Sequence, residues 1–405
     1  MKKFIMYGAG NIGRGFIGPT FSQSGYSVGF VDINMEVIDR LNQDKSYPVD
    51  VVCGDDTTEL NITDVYGIDG KNVDLVASEI ASCDVLATAI GVNVLKFIAK
   101  PIAMGLKKRF EQDGKPLNII ICENLIGADQ YLKGLIKEQI PEFSDIIDQK
   151  IGFVEASIGR MVPALSEEKR KGNPLRVAVE PYNILPVDKD AFKTDMSDVK
   201  NLYPYAPFNL FIERKLFMHN MSHALTAYLG NLKGYQYIYE AIADFDIRYC
   251  ALRALNQSAQ AVAKENGADI GFLLSHAENL LFRFTNKALG DTVERVGKDT
   301  IRKLGSNDRL IGAINLCEKH GLSCEYLCLG VASGMYFAPQ TDERSIELNA
   351  FAKENGAIKT LEKYSQYSGK NASLIEKLYI MLGEGKTVAQ LVDYCDKISG
   401  EVIRV

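Results

Sequence analysis

Six residues near the start limit what this chain can fold into. Gly8-Ala9-Gly10-Asn11-Ile12-Gly13 comes after a short apolar run at 3–7 and leads at once into helical spacing. A second apolar run, 28–31, ends on Asp32. Strand, glycine turn, helix, strand and acid, in that order, are the parts of a dinucleotide site. Gly8 permits the tight turn. Gly10 has no side chain to keep a pyrophosphate off the backbone, and Gly13 lets the helix lie close on the sheet. The N–H groups at the helix start, around Asn11 and Ile12, then face the phosphates. Asp32 can accept hydrogen bonds from a ribose 2′-hydroxyl and would repel a 2′-phosphate. Neither Ile33 nor Asn34 is an Arg that could hold that phosphate, so NAD is favoured over NADP. The plainer alternatives are an ordinary loop and, for Asp32, a cap on the helix expected at 35–42.

The pattern continues along the first half. Apolar runs at 28–31, 85–89, 117–122, 151–154 and 175–179 alternate with helical stretches at 35–42, 94–110 and 128–139. This alternation predicts a doubly wound α/β domain of Rossmann type over 1–190. The run 47–52 reads as an extra hairpin strand off the main sheet. The stretch 188–207 is polar, with Pro186, Pro204 and Pro207 near its ends, and reads as a connection. Beyond it, helix spacing dominates at 210–229, 236–266, 269–283, 307–320, 325–336, 342–355, 358–367, 372–382 and 388–398. An all-helical domain is therefore expected over 191–405.

Composition narrows the function classes. The net charge is −6 and no long basic run is visible, which argues against a nucleic-acid partner. No stretch approaches the length of a membrane span, and Gly8 interrupts the short apolar start too early for a signal peptide. The eight cysteines are scattered, several within apolar runs, as reduced thiols in a cytoplasmic protein would be. Cys317, His320, Cys324 and Cys328 could all bind zinc, but their spacing is not that of two short ligand knuckles, and no metal is expected.

In a doubly wound sheet, ligands collect at the carboxyl ends of the strands. The run 85–89 leads into Ile90-Gly91-Val92, a glycine turn suited to lying against a cofactor. The run 117–122 leads into Glu123-Asn124; Asn124 could donate to a substrate oxygen or the nicotinamide amide, or could cap the next helix. In the second half, Lys215, Asn220 and His223 share one helical segment. At 3.6 residues per turn they fall within an arc of roughly 140°. Oxidation of an alcohol by hydride transfer needs a base for the hydroxyl proton and donors for the developing alkoxide. A lysine serves as base when burial or a nearby positive charge lowers its pKa. Arg295, Lys298, Arg302 and Lys303 lie within a short span and could hold a phosphate. A polar helix face and a solvated basic turn are the plainer alternatives.

Together these pieces resemble the polyol-specific long-chain dehydrogenase family, whose signature Lys215-x4-Asn220-x2-His223 matches. The stretch from Gly8 to Gly18 is similar to the mannitol-1-phosphate 5-dehydrogenase branch, as are 117–124, 213–217, 226–230 and 293–297. The resemblance implies a metal-independent, NAD-dependent oxidoreductase interconverting mannitol 1-phosphate and fructose 6-phosphate. It implies Lys215 as general base, Asn220, His223 and Asn124 around the reacting oxygen, and Arg295 and Lys303 at the far end of the substrate. The active site is expected between the two domains; members of the family resembled are often monomers, so a monomer or weak oligomer is expected. The chain departs from the family twice. Gly159 stands where an Asp is usual before Arg160, with Glu155 the nearest carboxylate upstream, and Tyr235 stands where a His is usual. These changes leave two rivals with the same chemistry, an enzyme of a hexuronate or of an unphosphorylated polyol. A non-catalytic NAD sensor would have no use for Lys215, Asn220 and His223.

Overall fold

The computed structural model describes residues 1–112 and 114–400. The chain divides into two units, Met1–Phe208 and the part from Asn209 onward. The strands in chain order are β1 (Lys2–Tyr7), β2 (Tyr26–Asp32), β3 (Ser46–Cys53), β4 (Asp56–Thr63), β5 (Val65–Asp69) and β6 (Val85–Thr88). They continue with β7 (Leu117–Ile121), β8 (Ile151–Glu155), β9 (Val177–Val179), β10 (Leu185–Asp188) and β11 (Leu202–Tyr205).

Six of these form one parallel sheet in the order β5-β2-β1-β6-β7-β8. The order reverses direction between β1 and β6, which is the switch point of a doubly wound fold. Alternate residues of each strand enter opposite cores, as the strand period of two requires. Phe4, Met6, Val28 and Phe30 pack in one layer, and Ile5, Tyr7, Val31 and Leu86 in the other. The expected hairpin is β3 with β4, and it stands apart from the main sheet. β9, read as one more alternating strand, joins β3 instead.

The first unit runs past the expected boundary at 190/191. The polar stretch that reads as a connection is anchored to the sheet. Asn118 is fully buried in β7, and its Nδ2 donates to Thr194 O (3.0 Å) and Thr194 Oγ1 (2.8 Å). Its Oδ1 accepts from Lys193 N (2.8 Å). Met196 and Val199 enter the core, and β11 pairs with β10.

The second unit is helical among its described residues, as expected. The long helix read over 236–266 is two, Ile238–Ala243 and Phe245–Asn266. Asp244 separates them by capping the second, accepting from Asp246 N (3.1 Å) and Ile247 N (3.2 Å). The helices expected at 342–355 and 358–367 meet at Gly356, whose φ of 83° kinks the chain there.

Asn118→Val removes three hydrogen bonds that tie the 193–194 segment to the sheet. It should lower stability by about 2–4 kcal/mol, measured by urea unfolding, and expose the 190–200 stretch to limited proteolysis.

Candidate active site

The loops after β1 and β6 meet at the switch point. Gly8 has a φ of 112°, open to glycine and strained for other residues. A Cβ on Gly8 would lie 2.5 Å from Ala89 O, and a Cβ on Gly13 only 2.0 Å from Gly8 O. Backbone therefore occupies the space that any side chain would need. Above the turn the space is open, since a Cβ at Gly10 or Gly91 would meet nothing within 4 Å. Next in the chain, Gly13–Ile17 forms a π-helical turn.

Two carboxylates hold these loops. Asp32 Oδ2 accepts from Ala9 N (2.8 Å) and Oδ1 from Asn34 N (3.0 Å). Asn34, not Asp32, caps the helix Met35–Asp44, so the cap alternative for Asp32 falls away. Each Asp32 oxygen keeps acceptor capacity for a further donor. Glu123, buried behind β7, accepts from Ile90 N (2.9 Å) and Gly91 N (2.8 Å). Asn124 is exposed, and the next helix begins at Ala128 with Gly127 as its cap, so Asn124 does not cap it. Arg14 and Arg160 are both engaged in the framework. Arg14 Nε donates to Ala9 O (2.6 Å), and Arg160 Nε donates to Glu180 O (3.0 Å). A Cβ at Gly159 would meet the Tyr182 ring at 3.4 Å, an ordinary contact.

In the second unit, Asn209–Glu213, a π-helical turn Arg214–Asn220 and Met221–Leu232 succeed one another without a break. The sequence shows no signal for the π turn, and it changes the geometry. A turn closed by i→i+5 bonds advances roughly 80° per residue instead of 100°. Lys215, Asn220 and His223 then fall within an arc of roughly 60°, not 140°. All three are partly buried.

His223 is tightly fixed. Phe284 stacks on its ring at 4.8 Å between centroids and 15° between planes. Its Nε2 is buried 3.4 Å from Asp291 Oδ2. Asp291 also binds Arg295, four residues on. Burial pushes Asp291 up, but His223 and Arg295 outweigh it and hold the carboxyl below its usual range. Burial lowers the pKa of His223 against the pull of Asp291, and Arg295 and Lys303 lower it further. His219 is buried and pushed well below 6.5, first by burial, then by Arg283, His223, His276 and Lys215. His276 is pushed well down too, by burial and by Arg214 and Arg283.

The basic cluster is not one group. Arg302 donates to Asp299 (2.7 Å) and lies 3.4 Å from Asp308. Lys303 is buried and donates to Val296 O (2.5 Å); burial, helped by Arg309 and Arg302, pushes it down to about 7. Arg295 and Lys298 instead line a cavity of about 370 Å³ with Asn231, Tyr235, Gln236 and Glu294. In the sequence Asp291 is visible only as an acid four residues before Arg295, and Glu123 only as an acid after an apolar run. Cys317, His320, Cys324 and Cys328 do not converge. Cys317 donates to Gln257 O, His320 meets Glu265, and Cys324 and Cys328 Sγ are 3.9 Å apart.

Residues 2–201 match the model of the mannitol dehydrogenase Rossmann domain, and residues 208–395 that of the mannitol dehydrogenase C-terminal domain. The chain belongs to the mannitol dehydrogenase family. It is an oxidoreductase of CH–OH groups. A mannitol-1-phosphate 5-dehydrogenase of Caldanaerobacter subterraneus subsp. tengcongensis is 34% identical over 396 residues, covering 96% of this chain and all of the relative. The fold is shared with mannitol 2-dehydrogenase of Pseudomonas fluorescens, solved as a ternary complex with NAD and D-mannitol. The TM-score is 0.76 at 18% identity, covering 98% of this chain and 94% of that one. It is also shared with a D-sorbitol dehydrogenase in substrate-free form, with a TM-score of 0.81 at 15% identity, covering 96% and 94%. Among the described residues of this mannitol dehydrogenase family member, no helix is long and apolar enough to cross a membrane.

The depressed histidines of the family member make its stability depend on pH. A histidine held below 6.5 in the fold takes its proton first in the unfolded chain. Stability is therefore full above pH 6.5 and lost as pH falls below it, by up to about 1.4 kcal/mol per pH unit for each such group. Urea midpoints should fall from pH 7 to pH 5.5, and His276→Gln should flatten that slope.

Proposed function

We propose that this chain interconverts mannitol 1-phosphate and fructose 6-phosphate with NAD, using Lys215 as general base and no metal. The observation that carries the reading is the single helix face bearing Lys215, Asn220 and His223. The name of the 34% identical relative supports the phosphorylated substrate.

The residues present suit NAD. The open space above Gly10 and Gly91 admits a pyrophosphate beside bare backbone, with the N–H groups around Asn11, Ile12 and Gly13 as donors. Asp32 keeps acceptors for the ribose hydroxyls and would repel a 2′-phosphate. When bound, NAD supplies the acceptor for the hydride. Lys215 takes the proton of the substrate hydroxyl as the carbon–hydrogen bond breaks. Asn220 and His223 hold the oxygen, and Asn124 is the further group assigned to it. His223 is neutral near pH 7, since burial keeps a second proton off; with its Nε2 toward Asp291, its Nδ1 accepts from the substrate hydroxyl, and Asn220 is the donor to the developing alkoxide. Arg295 takes the far end of the substrate. Eight free thiols, seven of them buried, suit the reducing cytoplasm.

Lys215→Ala should lower kcat for mannitol 1-phosphate by about 10³-fold, the scale of a lost general base, while the Kd for NADH changes by less than about threefold. Alcohol oxidation by the unaltered enzyme should rise with pH, and this rise should vanish in the variant. Turnover preserved in Lys215→Ala would remove Lys215 from the mechanism.

A further inference from the structure

The helix that carries His223 continues for eight residues to Asn231, about 12 Å along its axis. At that end lies the cavity of about 370 Å³ lined in part by Asn231, Gln236, Glu294, Arg295 and Lys298. Its volume suits a small polar ligand or one end of a larger one. A line of contacts joins it to His223. Asp291 lies 3.4 Å from His223 Nε2 and binds Arg295, whose residue lines the cavity.

The charges in the lining favour an anion. Two cations stand against one carboxylate, Glu294, which is paired with Lys298 at 3.3 Å. Both side chains of that pair are well exposed (40% and 47%), and such a pair is weak and easily exchanged for a stronger anion. Arg295 has 62% of its side chain exposed and keeps donors beyond the bond to Asp291. The Asn231 and Gln236 amides add neutral donors. Tyr235 does not, because its hydroxyl donates to Asp244 (2.9 Å). The other two cations of the basic stretch are engaged elsewhere, Arg302 with two aspartates and Lys303 with Val296 O.

We propose that this cavity is the phosphate subsite of the substrate, with Lys298 the cation that selects a phosphate monoester and Arg295 the bridge toward the reacting end. The inference rests on the reading of the substrate as a polyol phosphate and assigns where its phosphate goes. Four carbon–carbon bonds separate the reacting carbon from the phosphate-bearing one in such a substrate. That chain and its ester oxygen reach roughly 7 Å, at about 1.5 Å per bond, and the long Arg and Lys side chains cover the remaining distance of about 5 Å along the helix.

The test compares kcat/KM for fructose 6-phosphate and for fructose in the unaltered enzyme, Lys298→Met and Lys298→Arg, with inorganic phosphate as a competing inhibitor. In Lys298→Met the preference for the phosphorylated sugar should fall by about tenfold or more, as for loss of one hydrogen bond to a charged group. Inhibition by phosphate should weaken in parallel. Lys298→Arg should keep the preference within about threefold. A Lys298→Met enzyme that keeps both the preference and its phosphate inhibition overturns the subsite and leaves the polyol-phosphate reading standing. An unaltered enzyme with no preference for fructose 6-phosphate over fructose overturns that reading, and the subsite with it.

Discussion

Carboxylates that accept backbone N–H groups hold the carboxyl edge of the sheet in shape. Asp32 binds the loop after β1 and Glu123 the loop after β6. Both loops turn on glycines in conformations that leave their N–H groups outside any strand ladder, and such donors are costly when unpaired. An ionised acceptor satisfies them with bonds about twice as strong as neutral ones. The two clamps differ in what remains. Glu123 is buried and uses both oxygens on neighbouring N–H groups, so its role is to hold the turn. Asp32 is partly exposed and uses each oxygen once, so it can hold the turn and still meet a ligand.

How much the sequence reveals depends on how local each cause is. The glycine turn, the acid at the end of β2 and the alternation of elements are local, and all three are present in the structure. The extension of the first unit to Phe208 is not local. It depends on Asn118, some seventy-five residues earlier, closing on Lys193 and Thr194. The break at Asp244 is readable in principle, since an Asp inside a helical stretch favours a cap, but the apolar spacing on both sides masks it. Asp291 and the cavity at Lys298 are products of packing between segments sixty residues apart, and no spacing rule reaches that far.

The π turns share this property. Gly13–Ile17 lies directly beyond the glycine turn, and Arg214–Asn220 contains both Lys215 and Asn220. A π turn inserts one residue into a helix and has no side-chain signature of its own. Its effect is to rotate the downstream helix relative to the upstream one. In the second unit that rotation narrows the face on which Lys215, Asn220 and His223 stand. An α-helix with the same sequence would spread them over more than a third of its circumference.

Electrostatics then ties this face to the cavity beyond it. Three of the four histidines, His219, His223 and His276, lie where Arg214, Lys215, Arg283, Arg295 or Lys303 raise the local positive potential. Such a concentration of cations is tolerable because burial keeps the imidazoles neutral. Asp291 is a carboxylate set within this group, and it serves two partners at once, His223 and Arg295. Any anion that draws Arg295 toward the cavity leaves the charge of Asp291 to His223 alone. The imidazole pKa then rises and its Nε2 proton is held more firmly. The charge at Arg295 is thereby felt at the His223 ring through one intervening side chain, Asp291.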